Sequence, residues 1–134
     1  MKKRIKNRIL ALIILAILPI YGCAGVIIGG AAAGTGVYTY VKGEVKRNYY
    51  KKFDQCVAAS NHVLKGLNVR MFEPIRETAR IILKAERTNK SVITVAITKQ
   101  KLNLTEISVR SGVVGMWDKQ LSELIHDSIA EKLQ

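Results

Sequence analysis

The chain has 134 residues, of which 22 are Lys or Arg and 10 are Asp or Glu, and its formal net charge is +12. This length allows one compact domain with a short extension, and it excludes a TIM barrel or a complete dinucleotide-binding fold. The charge alone indicates a nucleic acid or an anionic membrane as the partner. Five of the basic residues, however, fall within the first eight positions, directly before an apolar run.

The N-terminal segment has the layout of a secretory signal. Its basic residues precede residues 9–20, which carry no charged side chain. As a helix, these twelve residues span about 18 Å, which is short of the roughly 30 Å hydrocarbon core of a bilayer. We expect the positive charges to stay in the cytoplasm and the rest of the chain to be exported.

The apolar run ends in Leu-Pro-Ile-Tyr-Gly-Cys at residues 18–23, which resembles a bacterial lipobox. In such precursors the cysteine thiol is the nucleophile that takes a diacylglyceryl group, and a peptidase then cuts before the cysteine. We therefore predict a signal peptide over residues 1–22, cleavage between Gly22 and Cys23, and lipidation of Cys23. Ala24 follows the cysteine, and this residue favours the periplasmic face of the outer membrane.

A Gly/Ala-rich stretch follows the cysteine. Residues 23–36 are interpreted as the lipidated Cys and a flexible leash between the lipid and the domain. In the alternative, residues 9–41 enter the membrane as a signal anchor or a helical hairpin, because glycines with Gly-x-x-x-Gly spacing let membrane helices approach closely. The protein would then be a glycine-zipper, membrane-associated oligomer. Five glycines between positions 25 and 36 disfavour such a helix.

Residues 37–52 combine a short aromatic alternation with a basic segment. Tyr38 and Tyr40 alternate with apolar or small residues and predict an extra short N-terminal strand. Residues 42–52 carry five basic side chains and one acidic one, and they follow the leash. We predict a membrane-proximal patch that contacts an anionic envelope component, or else a solvated segment that keeps the domain off the bilayer. The patch residues are Lys42, Lys46, Arg47, Lys51 and Lys52.

Residues 53–134 predict a small α+β domain. Residues 53–69 have apolar side chains at helical spacing, and three segments at 79–86, 91–99 and 104–111 alternate like half-buried strands. Short turns between these segments predict a three-stranded antiparallel meander. Asp118 is suited to cap a last helix. The predicted fold is α+β: helix, three-stranded meander, helix, with both helices on one sheet face.

The chain resembles a family of small bacterial lipoproteins classed as a domain of unknown function. The shared features are the lipobox, the Gly/Ala-rich stretch and a Gly-Thr-Gly-Val-Tyr-Thr-Tyr-Val-x-Gly-Glu run, here residues 34–44. Further matches are Arg87-Thr88, Ser108-Val109-Arg110, Asp118, Ser122, Ile125 and His126. Two departures are Asn89-Lys90, where Asp-Gly is usual, and Ser111, where an apolar residue is usual. The resemblance implies a lipid anchor and this order of elements, but no activity.

The spacing of reactive residues does not indicate a catalytic or metal site. Two cysteines lie 33 residues apart and two histidines 64 apart, which excludes the usual zinc motifs. Cys56 falls on the apolar face of the first helix and is predicted to be a core residue. An envelope enzyme would require His126, Arg110 and Asp118 to converge in a cleft. We predict no catalytic residues, no metal and no cofactor.

The leading hypothesis is a lipid-anchored envelope protein whose domain is a structural or binding module. Its first partner is the membrane, through Cys23, and its protein partner is not identified by the sequence. A nucleic acid is not expected, because an exported protein rarely meets one. The alternative is a periplasmic carrier that holds a small ligand between the helices and the sheet.

Overall fold

The computed structural model describes residues 38–134. The predicted signal peptide 1–22, the lipidation site Cys23 and the leash 23–36 lie outside the described residues. The elements in chain order are β1 (Thr39–Val41), β2 (Glu44–Tyr49), α1 (Phe53–Gly66), β3 (Arg70–Met71), β4 (Ile75–Arg76), β5 (Arg80–Glu86), β6 (Val92–Lys101), β7 (Leu104–Val113), β8 (Met116–Trp117) and α2 (Lys119–Lys132).

The strands within residues 38–134 form one eight-stranded sheet with antiparallel pairing throughout. The order across the sheet is β1-β2-β7-β6-β5-β3, while β4 also pairs with β5 and β8 pairs with β7. Strands β6 and β7 have ten residues each and occupy the centre. They are rich in β-branched residues, which favour extended backbone because their side chains pack well on a pleated surface.

The predicted three-stranded meander flanked by two helices is wrong. It omits β2, which pairs with β7 so that Val45 lies opposite Val109 and Tyr49 lies opposite Thr105. The dense charge of residues 42–52 concealed a period of two, in which Val45, Arg47 and Tyr49 share one buried face. Strands β3 and β4 have two residues each and are too short to produce a recognisable alternation.

Both helices pack on the same face of the sheet and share one core. Helix α1 contacts β5, β6 and β7, while α2 contacts β2, β7 and α1. Burial of apolar surface in this layer is the main source of stability for a domain of this size. The core side chains are Tyr49, Cys56, Ala59, Val63, Leu64, Ile81, Leu83, Ile93, Val95, Ile97, Ile107, Val109, Ile125, Ile129 and Leu133.

Helix α2 begins as predicted and buries Ile125, Ile129 and Leu133 of the predicted stripe. An Asp118 side-chain oxygen accepts a hydrogen bond from the Leu121 backbone N–H at 2.9 Å, which satisfies one of the free donors at the helix start. The apolar spacing predicts Leu124 in the buried stripe, yet Leu124 is exposed and His126 is fully buried. His126 joins the buried stripe because its ring nitrogens find hydrogen-bond partners on the sheet side.

The two departures from the family pattern have structural counterparts. Lys90 has a φ of +68°, the left-handed conformation that glycine adopts at little cost, so the usual Asp-Gly suits this turn better. The Asn89 side chain supports the turn by accepting hydrogen bonds from the N–H and hydroxyl of Ser91. Ser111 is fully buried, so this strand position does belong to the interior.

Gly43, in the turn between β1 and β2, lies directly against the ring of Trp117. Its φ is +82°, and a Cβ atom added there would lie 2.5 Å from two carbon atoms of that ring. Gly115 has nearly the same φ, +86°, but a Cβ atom at that position would meet open space. Alanine substitutions at the two glycines therefore distinguish the cost of backbone strain from the cost of overlap with a neighbouring side chain.

Gly43→Ala is expected to destabilise the protein more than Gly115→Ala. Left-handed backbone costs alanine about 1–2 kcal/mol at either position. Only Gly43→Ala adds an overlap with Trp117, worth about 1–3 kcal/mol. Urea unfolding followed by circular dichroism measures both losses. Equal losses for the two variants would show that Trp117 does not pack on Gly43 in solution.

Candidate functional site

Five side chains meet where the start of the domain and strand β2 contact helix α2. We call them the Arg47 cluster: Tyr38, Arg47, Tyr49, His126 and Asp127. Arg47 and Tyr49 point to the core side of β2, and the β1–β2 register brings Tyr38 opposite Arg47. His126 and Asp127 extend from α2, so the cluster joins residues that are up to 89 positions apart.

Arg47 is the centre of the cluster and is only 2% exposed. Its guanidinium carbon lies 5.0 Å from the ring centroid of Tyr38 and 5.1 Å from that of Tyr49, which gives two cation–π contacts. Nη1 donates to the Tyr38 hydroxyl at 3.0 Å and lies 3.8 Å from an Asp127 carboxylate oxygen. Among residues 38–134, Nε and Nη2 have no hydrogen-bond partner although they are buried, which makes this charge costly to hold.

His126 is bonded on both ring nitrogens. Nε2 lies 2.8 Å from the carbonyl oxygen of Val45, which only accepts, so we assign the ring proton to Nε2. Nδ1 lies 2.9 Å from the Tyr49 hydroxyl, which donates to it and also lies 3.1 Å from the His126 carbonyl oxygen. Helix α2 is thereby tied to strand β2 at Val45 and Tyr49, on either side of Arg47.

The ionisation of the cluster is set mainly by burial. Burial lowers the pKa of His126 to about 4, and the neighbouring Arg47 charge acts in the same direction. Burial also raises the pKa of Tyr49, while burial and a hydrogen bond to Asp127 raise the pKa of Tyr38 to about 12. These three groups therefore keep one protonation state near neutral pH, which suits a fixed cross-link better than acid–base catalysis.

The predicted basic patch is not one surface. Arg47 is buried in the cluster, whereas Lys42 is exposed in the β1–β2 turn. Lys46 lies on the opposite face of β2, with Nζ 3.6 Å from a carboxylate oxygen of Glu44. Lys51 and Lys52 follow the other end of β2, immediately before α1. A β-strand separates the charges because alternate residues point to opposite faces.

The residues that an enzyme hypothesis requires do not converge. His126 lies between α2 and β2, and Asp118 is used as the cap of α2. Arg110 lies on the outer face of the sheet, with Nη2 2.6 Å from a carboxylate oxygen of Glu44 and its guanidinium over the Trp117 ring. These three side chains therefore form no common cleft.

The predicted core residue Cys56 lies within the described residues 38–134. Cys56 is fully buried in the core, as predicted, and burial raises the pKa of its thiol. Among these residues, no three His, Cys, Asp or Glu side chains are grouped so as to hold a metal ion. No helix in this part of the chain is long and apolar enough to cross a membrane.

The buried state of His126 makes the protein sensitive to acid. The unfolded chain takes up this proton near pH 6.5 and the folded protein only near pH 4, so between these values the unfolded state binds more protons. The contribution of neutral His126 to the free energy of unfolding is therefore present above pH 6.5. It falls by up to about 3 kcal/mol as the pH drops towards 4. His126→Gln removes this part of the loss, as urea unfolding at each pH will measure.

The other histidine provides the control for this measurement. His62 is exposed, so His62→Gln is expected to leave the pH dependence unchanged. If His126→Gln and the unmodified protein lose the same stability between pH 6.5 and 4, the acid sensitivity does not come from His126.

A single family accounts for nearly the whole chain. No curated protein matches the chain. The family model described as "Protein of unknown function (DUF3568)" matches residues 6–132, which include every strand and helix described above. The chain therefore belongs to this family of proteins of unknown function.

Proposed function

We propose that the chain is a lipid-anchored bacterial envelope protein whose domain acts as a structural or binding module. In this proposal Cys23 carries the lipid and holds the protein on the periplasmic face of the outer membrane. The observation that carries it is the combination of five early basic residues, twelve uncharged residues and the Gly22-Cys23 pair. Acyl chains contribute roughly 0.8 kcal/mol for each buried methylene, so more than one chain gives a stable anchor.

The way in which the domain begins supports a tethered module. Tyr38 is the first described residue and lies fifteen positions after Cys23. Its ring contacts Arg47 and His126, and its hydroxyl is bonded to Arg47 and Asp127. A pull on the leash would therefore act on a buried cross-link between β2 and α2 and not on a free end. A module that is held at a membrane benefits from such an attachment.

The contents of the core favour a structural or binding role over a carrier. A carrier would hold its ligand between the helices and the sheet. In the described residues that space contains a single cluster of buried side chains contributed by both helices and four strands. Exposed faces of the domain are therefore the better candidates for contact with a partner, and we do not propose the carrier function.

Fatty-acid labelling in a bacterial host tests the anchor. The unmodified protein is expected to incorporate a labelled fatty acid, and Cys23→Ala is expected to lose the label because the acceptor thiol is gone. Cys56→Ala is the matched control, since it removes the chain's other cysteine, which is buried in the core. It should keep the label. Labelling that persists in Cys23→Ala, or that is absent from the unmodified protein, would contradict the anchor.

A further inference from the structure

Exposed apolar side chains are concentrated at one end of the sheet. The described residues contain twelve large hydrophobic side chains that are exposed, and half of them lie in β1, at the start of β6 or in the β7–β8 hairpin. The strand register places these segments at the same end. We call these residues the apolar end: Tyr40, Val41, Val92, Val113, Val114 and Met116.

The β7–β8 hairpin is the most prominent part of the apolar end. Val113 pairs with Met116, Val114 is 92% exposed and Met116 is 73% exposed. The segment 112–117 reads Gly-Val-Val-Gly-Met-Trp and has no charged side chain. Tight hairpin turns usually carry polar residues, and adjacent exposed apolar residues generally mark a contact site.

The hairpin is held in place by its own aromatic residue. The Trp117 ring packs against Gly43 of the β1–β2 turn, and the Arg110 guanidinium lies 5.1 Å from its centroid. On the other side of the same end, Lys119 Nζ lies 5.4 Å from the Tyr40 ring centroid, and Lys42 is exposed in the turn. Aromatic rings beside cationic side chains, next to exposed aliphatic ones, match the layered chemistry of a bilayer surface.

The leash is long enough for this end to reach the bilayer. Tyr38 lies opposite Arg47, and Arg47 pairs with Ile107 of β7. Val114, just beyond the end of β7, comes seven residues after Ile107, which corresponds to about 23 Å along the strand. The fifteen residues from Cys23 to Tyr38 reach at most about 50 Å when extended. A domain tethered within this distance meets the membrane at high effective concentration, so that weak apolar contacts suffice to hold it there.

We infer that the apolar end is a membrane-contact surface, with the β7–β8 hairpin inserted at the headgroup and acyl boundary of the bilayer that holds the leash. The inference rests on the proposed lipid anchor and adds a second contact with the same membrane. A lipid surface suits this end better than a second copy of the chain. A symmetric contact between two copies would bring two sets of the exposed Lys42 and Lys119 charges into one interface, whereas an anionic lipid headgroup layer attracts these charges.

Trp117 provides the test, because it is the chain's single tryptophan and follows the hairpin directly. The full lipidated chain is reconstituted into vesicles of phosphatidylethanolamine and phosphatidylglycerol whose acyl chains carry bromine, which quenches tryptophan at close range. Flotation of the vesicles measures anchoring, and the emission of Trp117 measures contact of the hairpin with lipid. We expect the chain to float and its emission to be quenched relative to vesicles without bromine.

Substitutions at the two ends of the sheet make the test specific. Val114→Asp with Met116→Asp should float equally well but lose the quenching, because charged side chains leave the apolar layer. Leu102→Asp is the control, since Leu102 is 73% exposed like Met116 but lies in the β6–β7 turn at the opposite end. It should keep the quenching. Circular dichroism checks that each variant is folded, and quenching of the unmodified chain is informative without any variant.

Each adverse outcome has a distinct meaning. A chain that floats without quenching overturns the membrane-contact surface and leaves the anchor standing. A chain that does not float overturns the anchor and, with it, the surface. If Trp117 is unquenched while Val114→Asp with Met116→Asp abolishes a dimer in sedimentation, a second copy occupies the apolar end, which also overturns the inference. Quenching that persists in this double variant does the same.

Discussion

The guanidinium of Arg47 lies out of contact with water between two tyrosine rings, and the attachment of helix α2 to the edge of the sheet depends on it. The charge holds Tyr38 and Asp127 on one side and stacks on Tyr49, which in turn bonds His126. A buried charge of this kind adds little to the free energy of unfolding, because a well-packed apolar side chain in its place is often at least as favourable. Its value lies in directional bonds, which specify one arrangement of β1, β2 and α2.

The Arg47 cluster lies on the α2 side of the domain, and mainly apolar packing is concentrated on the α1 side. On the α1 side, β5, β6 and β7 hold the helix mainly through apolar packing, with Leu83, Val95 and Val109 in one row across the strands. On the α2 side, the interior includes Arg47, Ser122 and His126 as well as Ile125 and Ile129. The edge that includes β1 and β2 is thus the part with hydrogen-bonded specificity, and the opposite part relies mainly on shape and volume.

Local sequence pattern identifies those elements that are both long and regular. The alternation in β6 and β7, the helical spacing in α1 and the Asp118 cap depend only on neighbouring residues, so the sequence predicts them correctly. The sequence does not predict strand β2, because Lys46 and Arg47 fall in one basic segment that is expected at the surface, although they point to opposite faces of the strand. The alternation along the strand does indicate a buried arginine, since Arg47 shares its period-of-two position with Val45 and Tyr49.

No local sequence pattern predicts which residues contact Arg47. Tyr49 and His126 are 77 residues apart and Tyr38 and Asp127 are 89 apart, so only the assembled fold brings them together. The burial of His126 does not follow from local pattern for a related reason. A polar residue inside an amphipathic helix is normally assigned to the solvent side, and only the carbonyl of Val45 and the hydroxyl of Tyr49 make burial favourable.

The sheet order also sets the order in which the chain completes its fold. Strands β5, β6 and β7 are consecutive and join through short turns, so they pair at little cost in loop closure. Strand β2 pairs with β7, which follows about sixty residues later in the chain. Tyr38 bonds to Asp127 and can make this contact only once α2, near the end of the described chain, has formed. The segment that begins at Tyr38 is therefore the last to find its place, after helix α2 has formed.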